Sequence, residues 1–303
     1  MPTDAHQLVL SMGSDTHGRH HPRHKRPRNW GRTLTVLVLA GGLIGGGLYA
    51  ATNFIGLNQS MVRERCTAMV GGEKFTLSPD QAANAALISA VATKRGLTER
   101  AAQIGVATAM QESKLTNIDY GDDAGPDSRG LFQQRPSMGW GTQAQVMDPL
   151  YAANRFFQEL ETFDYASMAL TDAAQKVQRS AYPLAYAKHE SMAKAFASPL
   201  TGNADSALNC TLHPADTAGA PKATQTALKA ATGISGATID GPRLMVPVKG
   251  KQGWAVAQWA VANAQGQNIE SVSYAGLLWN RAQGSWVRAA TSDGYVVIQP
   301  AKP

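Results

Sequence analysis

Cysteine is almost missing from this chain: among 303 residues there are two, Cys66 and Cys210. Charge is also sparse, with Asp, Glu, Lys and Arg together making 17% of the residues. No phosphate-cradling glycine motif occurs, and neither cysteine lies near the acidic loop of residues 119–127. These absences leave nothing to support a nucleotide site, a metal site or a Ser/Cys nucleophile, and no cofactor is expected. The net charge of +6 is unevenly spread. Arg19, Arg23, Lys25, Arg26, Arg28 and Arg32 face only Asp4 and Asp15 in the first 32 residues, a net +4, which leaves about +2 for the rest. The body is therefore nearly neutral, and the basic pI is no argument for nucleic acid. No nucleic-acid partner is expected.

After the basic tail comes TLTVLVLAGGLIGGGLYAA, residues 33–51, without a charge. A membrane-crossing helix needs about 20 mostly apolar residues. Lys and Arg lie on its N-terminal side, which predicts a cytoplasmic N-terminus and an extracellular body. A cleaved signal peptide is the rival, but Leu48-Tyr49-Ala50 makes a poor cleavage site because its first position is large. The expectation is a single-pass membrane protein: tail 1–32, transmembrane anchor 33–56. Gly41/Gly45 or Gly42/Gly46 offer a helix-packing face. Five of seven histidines crowd the tail; such a tract is solvated more often than metal-binding. In an oxidising compartment the two cysteines predict one disulfide, Cys66–Cys210.

Helix signals dominate residues 57–210. Ser78, Pro79 and Gln81 make a capping box with proline at the first helical position, and Gly96 ends that helix. Thr98 is placed as the cap of ERAAQIGVATAMQES. Asp148-Pro149 opens PLYAANRFFQELETF, Thr171 is placed as the cap of TDAAQKVQRS, and LAYAKHESMAKAFA closes the block. Residues 211–247, rich in Ala, Thr, Gly, Pro and Asp, read as a linker. Residues 248–303 read as a small α+β module, with WAVAQWAVANAQ helical and IESVSYA, SWVRAA and GYVVIQP as strands. Its tryptophans are Trp254 and Trp259, assigned to the core, and Trp279 and Trp286, left between core and a sugar platform.

One residue stands out. Glu112 ends an apolar helix, and such a carboxylate is rarely buried unless paired. Desolvation and the negative end of the helix dipole both favour its protonated form. A carboxylic acid kept protonated near neutral pH is a general acid. A frayed, solvent-facing end is the alternative. After it come Asp119, Asp122, Asp123 and Asp127, then Gly130-Leu131-Phe132-Gln133.

Glu112-Ser113 closing an apolar helix, then a Gly/Asp loop, then G-L-F-Q, resembles the lytic transglycosylases and goose-type lysozymes. The form GLFQQRPSMGWGT is similar to that of actinobacterial membrane-tethered members. The resemblance covers about residues 75–195 and does not reach the tail or the linker. It implies a lysozyme-like helical domain at 57–210; with the transmembrane helix before it and the small α+β module after it, the expected fold is mainly α. It also implies cleavage of the MurNAc-GlcNAc β-1,4 bond of peptidoglycan, with Glu112 as the catalytic acid and 1,6-anhydro ends as product. Ser113, Tyr120, Asp122, Gln133, Gln134, Trp140, Gln178 and Tyr182 are the expected substrate-binding residues.

Tyr120-Gly121-Asp122 is similar to the loop of the goose-type enzymes, but their further Asp after G-L-x-Q is replaced here by Gln134, Arg135 and Pro136. A lysozyme-type hydrolase with Asp122 holding water is thus the alternative, as is a non-catalytic glycan-binding scaffold. The chain departs from the Ala-Tyr-Asn-Ala-Gly segment whose tyrosine contacts the acid in transglycosylases; Gln178, Ser180 or Tyr182 are candidates to replace it. Expected partners are glycan strands, the membrane through the anchor, and cell-envelope proteins through 248–303.

Overall fold

The computed structural model describes residues 63–302 except 124, 181, 183 and 293. The tail, its histidines and the anchor expected at 33–56 lie outside the described residues. Among the described residues no helix is long and apolar enough to cross a membrane.

The first described element is a hairpin. β1 (Arg65–Val70) and β2 (Glu73–Leu77) are joined by Gly71-Gly72. Both glycines have positive φ, 57° and 84°, the backbone of the tight turns whose twist matches that of paired strands. β1 also pairs with a later strand, which brings the two ends of the helical block together. α1 (Pro79–Lys94) starts at Ser78 with the full reciprocal capping box, Ser78 on the Gln81 N–H and Gln81 back on the Ser78 N–H.

α2 (Glu99–Ser113) is the buried centre: Ala101, Ala102, Ile104, Val106, Ala107 and Ala109 have no exposed surface. Its small side chains let neighbours come close. A Cβ at Gly105 would sit 2.8 Å from Ile88 of α1 and 3.0 Å from Phe157. After α3 (Gln143–Val146), α4 (Pro149–Leu160) packs Phe156 and Phe157 into the same core, with Phe156 stacked on Phe132 at 4.5 Å. α5 (Leu170–Gln178) and α6 (Glu190–Leu200) complete the layer around α2. Two expected caps differ. Thr98 stands at the N-cap without a side-chain bond, and the cap of α5 is Ala169, two residues before Thr171.

β3 (Asn209–Thr211) returns to β1 with Cys210 opposite Cys66, giving a three-stranded sheet β2-β1-β3. The two cysteines are disulfide-bonded.

Residues 211–247 are not a tether. They hold α7 (Pro221–Thr232), β4 (Thr238–Asp240) and β5 (Arg243–Val246). α7 has few large apolar residues because Leu228, Thr224 and Ala231 are enough to seat it against α1. α8 (Gly250–Ala262) then leads into β6 (Ile269–Tyr274), β7 (Leu277–Asn280), β8 (Trp286–Arg288) and β9 (Val296–Pro300). Six strands form one antiparallel sheet in the order β4-β5-β9-β6-β7-β8.

The expectation of a mainly α protein is therefore wrong. This is an α+β fold with two antiparallel sheets, of three and six strands. The strands that sequence does not reveal are those at 65–77, 209–211, 238–246 and 277–280. α8 lies between layers, packed on β6 and β9 and also on α1 and α6. Trp254, Trp259 and Trp279 are core residues, at 7%, 4% and 0% exposure. Trp286 is half-buried and donates to the Leu208 carbonyl at 2.9 Å.

The disulfide spans 144 residues, and in the chain-entropy model a loop this long is worth roughly 5 kcal/mol at most. Cys66→Ser with Cys210→Ser is expected to lower the unfolding free energy by several kcal/mol on that scale, read as the urea midpoint of the oxidised parent against the variant.

Candidate active site

Glu112 stands in the last turn of α2 because the helix stops two residues later. Lys114 and Leu115 both take left-handed backbone, at φ 55°. The Leu115 N–H returns to Ala109 O at 3.0 Å and the Lys114 N–H to Met110 O at 3.1 Å. Leu115 itself is fully buried. The Lys114 bond, from a left-handed residue to the carbonyl four residues back, is one that commonly closes helices, made here without glycine.

From that position Glu112 faces a cleft of about 370 Å³. Asp122, Gln133, Gln134, Trp140, Gln178 and Tyr182 all line the same cleft. Six of the expected binding residues are thus gathered around the expected acid.

Two are not. Ser113 is buried, and its hydroxyl lies 2.8 Å from the Leu131 carbonyl and 3.1 Å from that of Ala109. It ties α2 to the G-L-F-Q segment instead of facing a ligand. Tyr120 is 64% exposed and does not border the cleft.

The G-L-F-Q segment is a turn. Arg129 and Gln134 pair through two backbone bonds of 3.0 Å, and Gln133 between them has φ 48°. Gly130 is required there: its φ is +78°, and a Cβ would meet the Val146 carbonyl oxygen at 2.2 Å. The turn explains how neighbours Gln133 and Gln134 both border the cleft, which a pleated strand does not allow. Gln134, at 2% exposure, donates to Ala152 O at 3.1 Å. Phe132 is fully buried, while Gln178 donates to its carbonyl at 2.8 Å. The loop before the turn is braced by Asp127, which accepts from the Ser137 N–H and from Arg135, each at 2.9 Å. The Ser137 hydroxyl and N–H, then Arg135, hold the Asp127 carboxyl well below the usual carboxylate range.

The closest partner of the acid is a residue that sequence reasoning misses. Tyr186, fully buried, donates its hydroxyl to Glu112 Oε1 at 2.7 Å. A signal exists: Ala185-Tyr186 repeats, four residues on, the Ala-Tyr pair of Ala181-Tyr182. Tyr182 is instead 75% exposed, at the rim. Burial pushes the Tyr186 hydroxyl strongly toward its protonated form, with the Glu112 charge adding to it. It is a permanent donor.

Burial is likewise the main influence on Glu112, pushing its carboxyl up; hydrogen bonds from Tyr186 and Gln178 pull it partly back, and the Asp122 charge adds to the rise. A half-buried acid held by the Tyr186 hydroxyl, with an open cleft beside it, is equipped to give up a proton and take one back.

The sequence matches no protein-family model and no curated protein.

The raised Glu112 carboxyl has a thermodynamic consequence. Its folded-state value lies above its unfolded one, so the stability it contributes is complete at low pH. That stability is lost as pH rises from the unfolded glutamate value, about 4.3, through the folded one. Glu112→Gln does not titrate. The melting temperature of the variant minus that of the parent is expected to grow with pH across that window and then level off. A difference independent of pH would mean that Glu112 is not held in its neutral form by burial.

Proposed function

We propose that this chain is a peptidoglycan lytic transglycosylase that cleaves the MurNAc-GlcNAc β-1,4 bond with Glu112 as its acid and base. The observation that carries the reading is the setting of Glu112: half-buried at the cleft, held by Tyr186, and shifted toward the protonated form. The resemblance of Glu112-Ser113 and Gly130-Leu131-Phe132-Gln133 to the transglycosylase motif points the same way.

Glycoside cleavage needs a proton on the leaving oxygen and support for an oxocarbenium-like centre. Glu112 gives the proton, and the bond to the leaving sugar breaks. The muramoyl acetamido group supports the cation. The sugar's own 6-hydroxyl then closes on the anomeric carbon, and Glu112, now ionised, takes the hydroxyl proton. Glu112 ends as it began, and the product is a 1,6-anhydro sugar. The Tyr186 hydroxyl steadies the carboxylate during its ionised interval. The acetamido group suits Gln133, whose amide both donates and accepts. Trp140 supplies an aromatic face for a sugar ring.

A hydrolase is the second reading, since Asp122 lines the same cleft and its charge is felt at Glu112. Against it, Asp122 Oδ1 is occupied by the Gly125 N–H at 2.9 Å, which supports a loop-bracing role. A glycan-binding scaffold has no use for an acid held toward its protonated form. The disulfide supports placing the body outside the cytoplasm, where glycan strands lie.

Two experiments test this. The full chain incubated with purified peptidoglycan is expected to release 1,6-anhydromuramoyl products, with Glu112→Gln slower by about 100-fold or more, the usual worth of a general acid. Products one water heavier would move the assignment to the hydrolase. Tyr186→Phe removes a bond that stabilises the carboxylate, so the Glu112 value should rise further. The alkaline limb of the kcat/KM profile is expected to move to higher pH as the rate falls. A slower enzyme with an unmoved limb would make Tyr186 merely structural.

A further inference from the structure

The lining of the Glu112 cleft carries guanidinium groups for which a neutral glycan gives no reason. Arg155 and Glu159 come from one face of α4, and Arg179 follows α5. Arg155 donates to Glu159 at 3.2 Å, and Arg179 lies 3.8 Å from the other oxygen of the same carboxylate. Two cations thus share one anion. Arg155 is also fixed by Trp140, with its guanidinium carbon 4.9 Å from the ring centroid. Arg179 is different: its side chain is 78% exposed, against 26% for Arg155.

The backbone at Arg179 gives a second, independent sign. It is the residue that ends α5, at φ 53° and ψ 37°. Helices usually place glycine in that conformation, because a side chain there is strained. This chain instead holds a long cation in it, at the mouth of the cleft beside Ser180 and Tyr182.

The geometry points to Arg179, with Arg155 behind it, as the subsite for a carboxylate carried on the glycan. Resting on the transglycosylase reading, this names the ligand. The backbone of peptidoglycan is neutral, and its carboxylates belong to the peptide on the muramoyl lactyl group. The enzyme is therefore selective for strands whose stem peptides keep free carboxylates. Glu159 positions both cations, and Arg155 with Trp140 forms a rigid back wall. A guanidinium and a carboxylate make one of the stronger exposed contacts available, by paired charge-assisted hydrogen bonds.

The test compares peptidoglycan with free stem-peptide carboxylates and the same preparation capped as neutral methylamides by carbodiimide coupling. The full chain is expected to show kcat/KM about tenfold higher on the free form, a ratio that shrinks as salt is raised. In Arg179→Gly the ratio is expected to approach one. That variant relieves backbone strain, so its melting temperature should be equal to or above that of the parent, and misfolding cannot explain the change. Arg179→Lys should keep part of the ratio. Equal rates on both preparations by the parent would overturn the subsite, as would a ratio unchanged in Arg179→Gly. If the parent cleaves neither preparation, the transglycosylase reading itself fails and the subsite falls with it.

Discussion

The Tyr186 hydroxyl reaches Glu112 across 74 residues of sequence, and the organisation around the cleft serves that one hydrogen bond. For it to matter, both partners must be kept from water. α2 provides this by being apolar on nearly every side, so that its last turn ends inside the layer of surrounding helices. Tyr186 is provided by the short turn of helix Ala187–His189 and the α6 that follows, packed against α2. In a medium of low dielectric a hydroxyl that cannot ionise is a reliable donor. The acid then has one oxygen committed to Tyr186 and must use the other for chemistry. A solvent-exposed glutamate has no such asymmetry.

The part of the chain beyond the disulfide is built onto this core. Gln258 of α8 is fully buried and ties the end of α6 to the segment that leads to β3. Its oxygen accepts from the Ala207 and Leu208 N–H groups, and its nitrogen donates to Pro199 and Ala204 carbonyls, all within 2.9 Å. A buried amide satisfied this fully fixes the approach of two segments more firmly than apolar contact does. Trp286 adds its own bond to Leu208. β3 and the disulfide thus have neighbours on both sides, and α8 serves two layers at once.

How much of this is legible in the residues depends on how local the signal is. The capping box at Ser78 and the Asp148-Pro149 pair each need no more than four residues to be read, and both helices start there. Glu112 is legible as an acid ending an apolar helix, and the paired cysteines as a disulfide. The hairpin at 65–77 carries a usable sign in Gly71-Gly72, but its strands of six and five residues sit ahead of stronger helix signals. The turn at Gln133 carries none, because a left-handed glutamine looks like any other glutamine in sequence. Tyr186 depends on which of two Ala-Tyr pairs the fold buries, which is settled by packing around α2. α7 is hidden by composition: alanine and threonine fill a helix as readily as a tether, and only the burial of Leu228 separates the two.

Backbone strain is the thread that links several turns around the cleft. Among the described residues, seven other than glycine have positive φ: Lys114, Leu115, Gln133, Arg179, Ser206, Asn268 and Ala275. The first four frame the cleft: two end the helix of the acid, one turns the G-L-F-Q segment, and one ends α5. Left-handed backbone in a residue with a side chain costs on the order of 1 kcal/mol each, so the cluster is sustained by its surroundings. Leu115 and Phe132 are fully buried next to these turns, and Ser113 bridges the first to the second through Leu131. The apolar core thereby holds three chain reversals in conformations that local preference would not choose. Each reversal stops an element short, so that Glu112, Gln133 and Arg179 emerge at the same opening. Glycine at Gln133 or Arg179 would relax the turn but remove a side chain that lines the cleft.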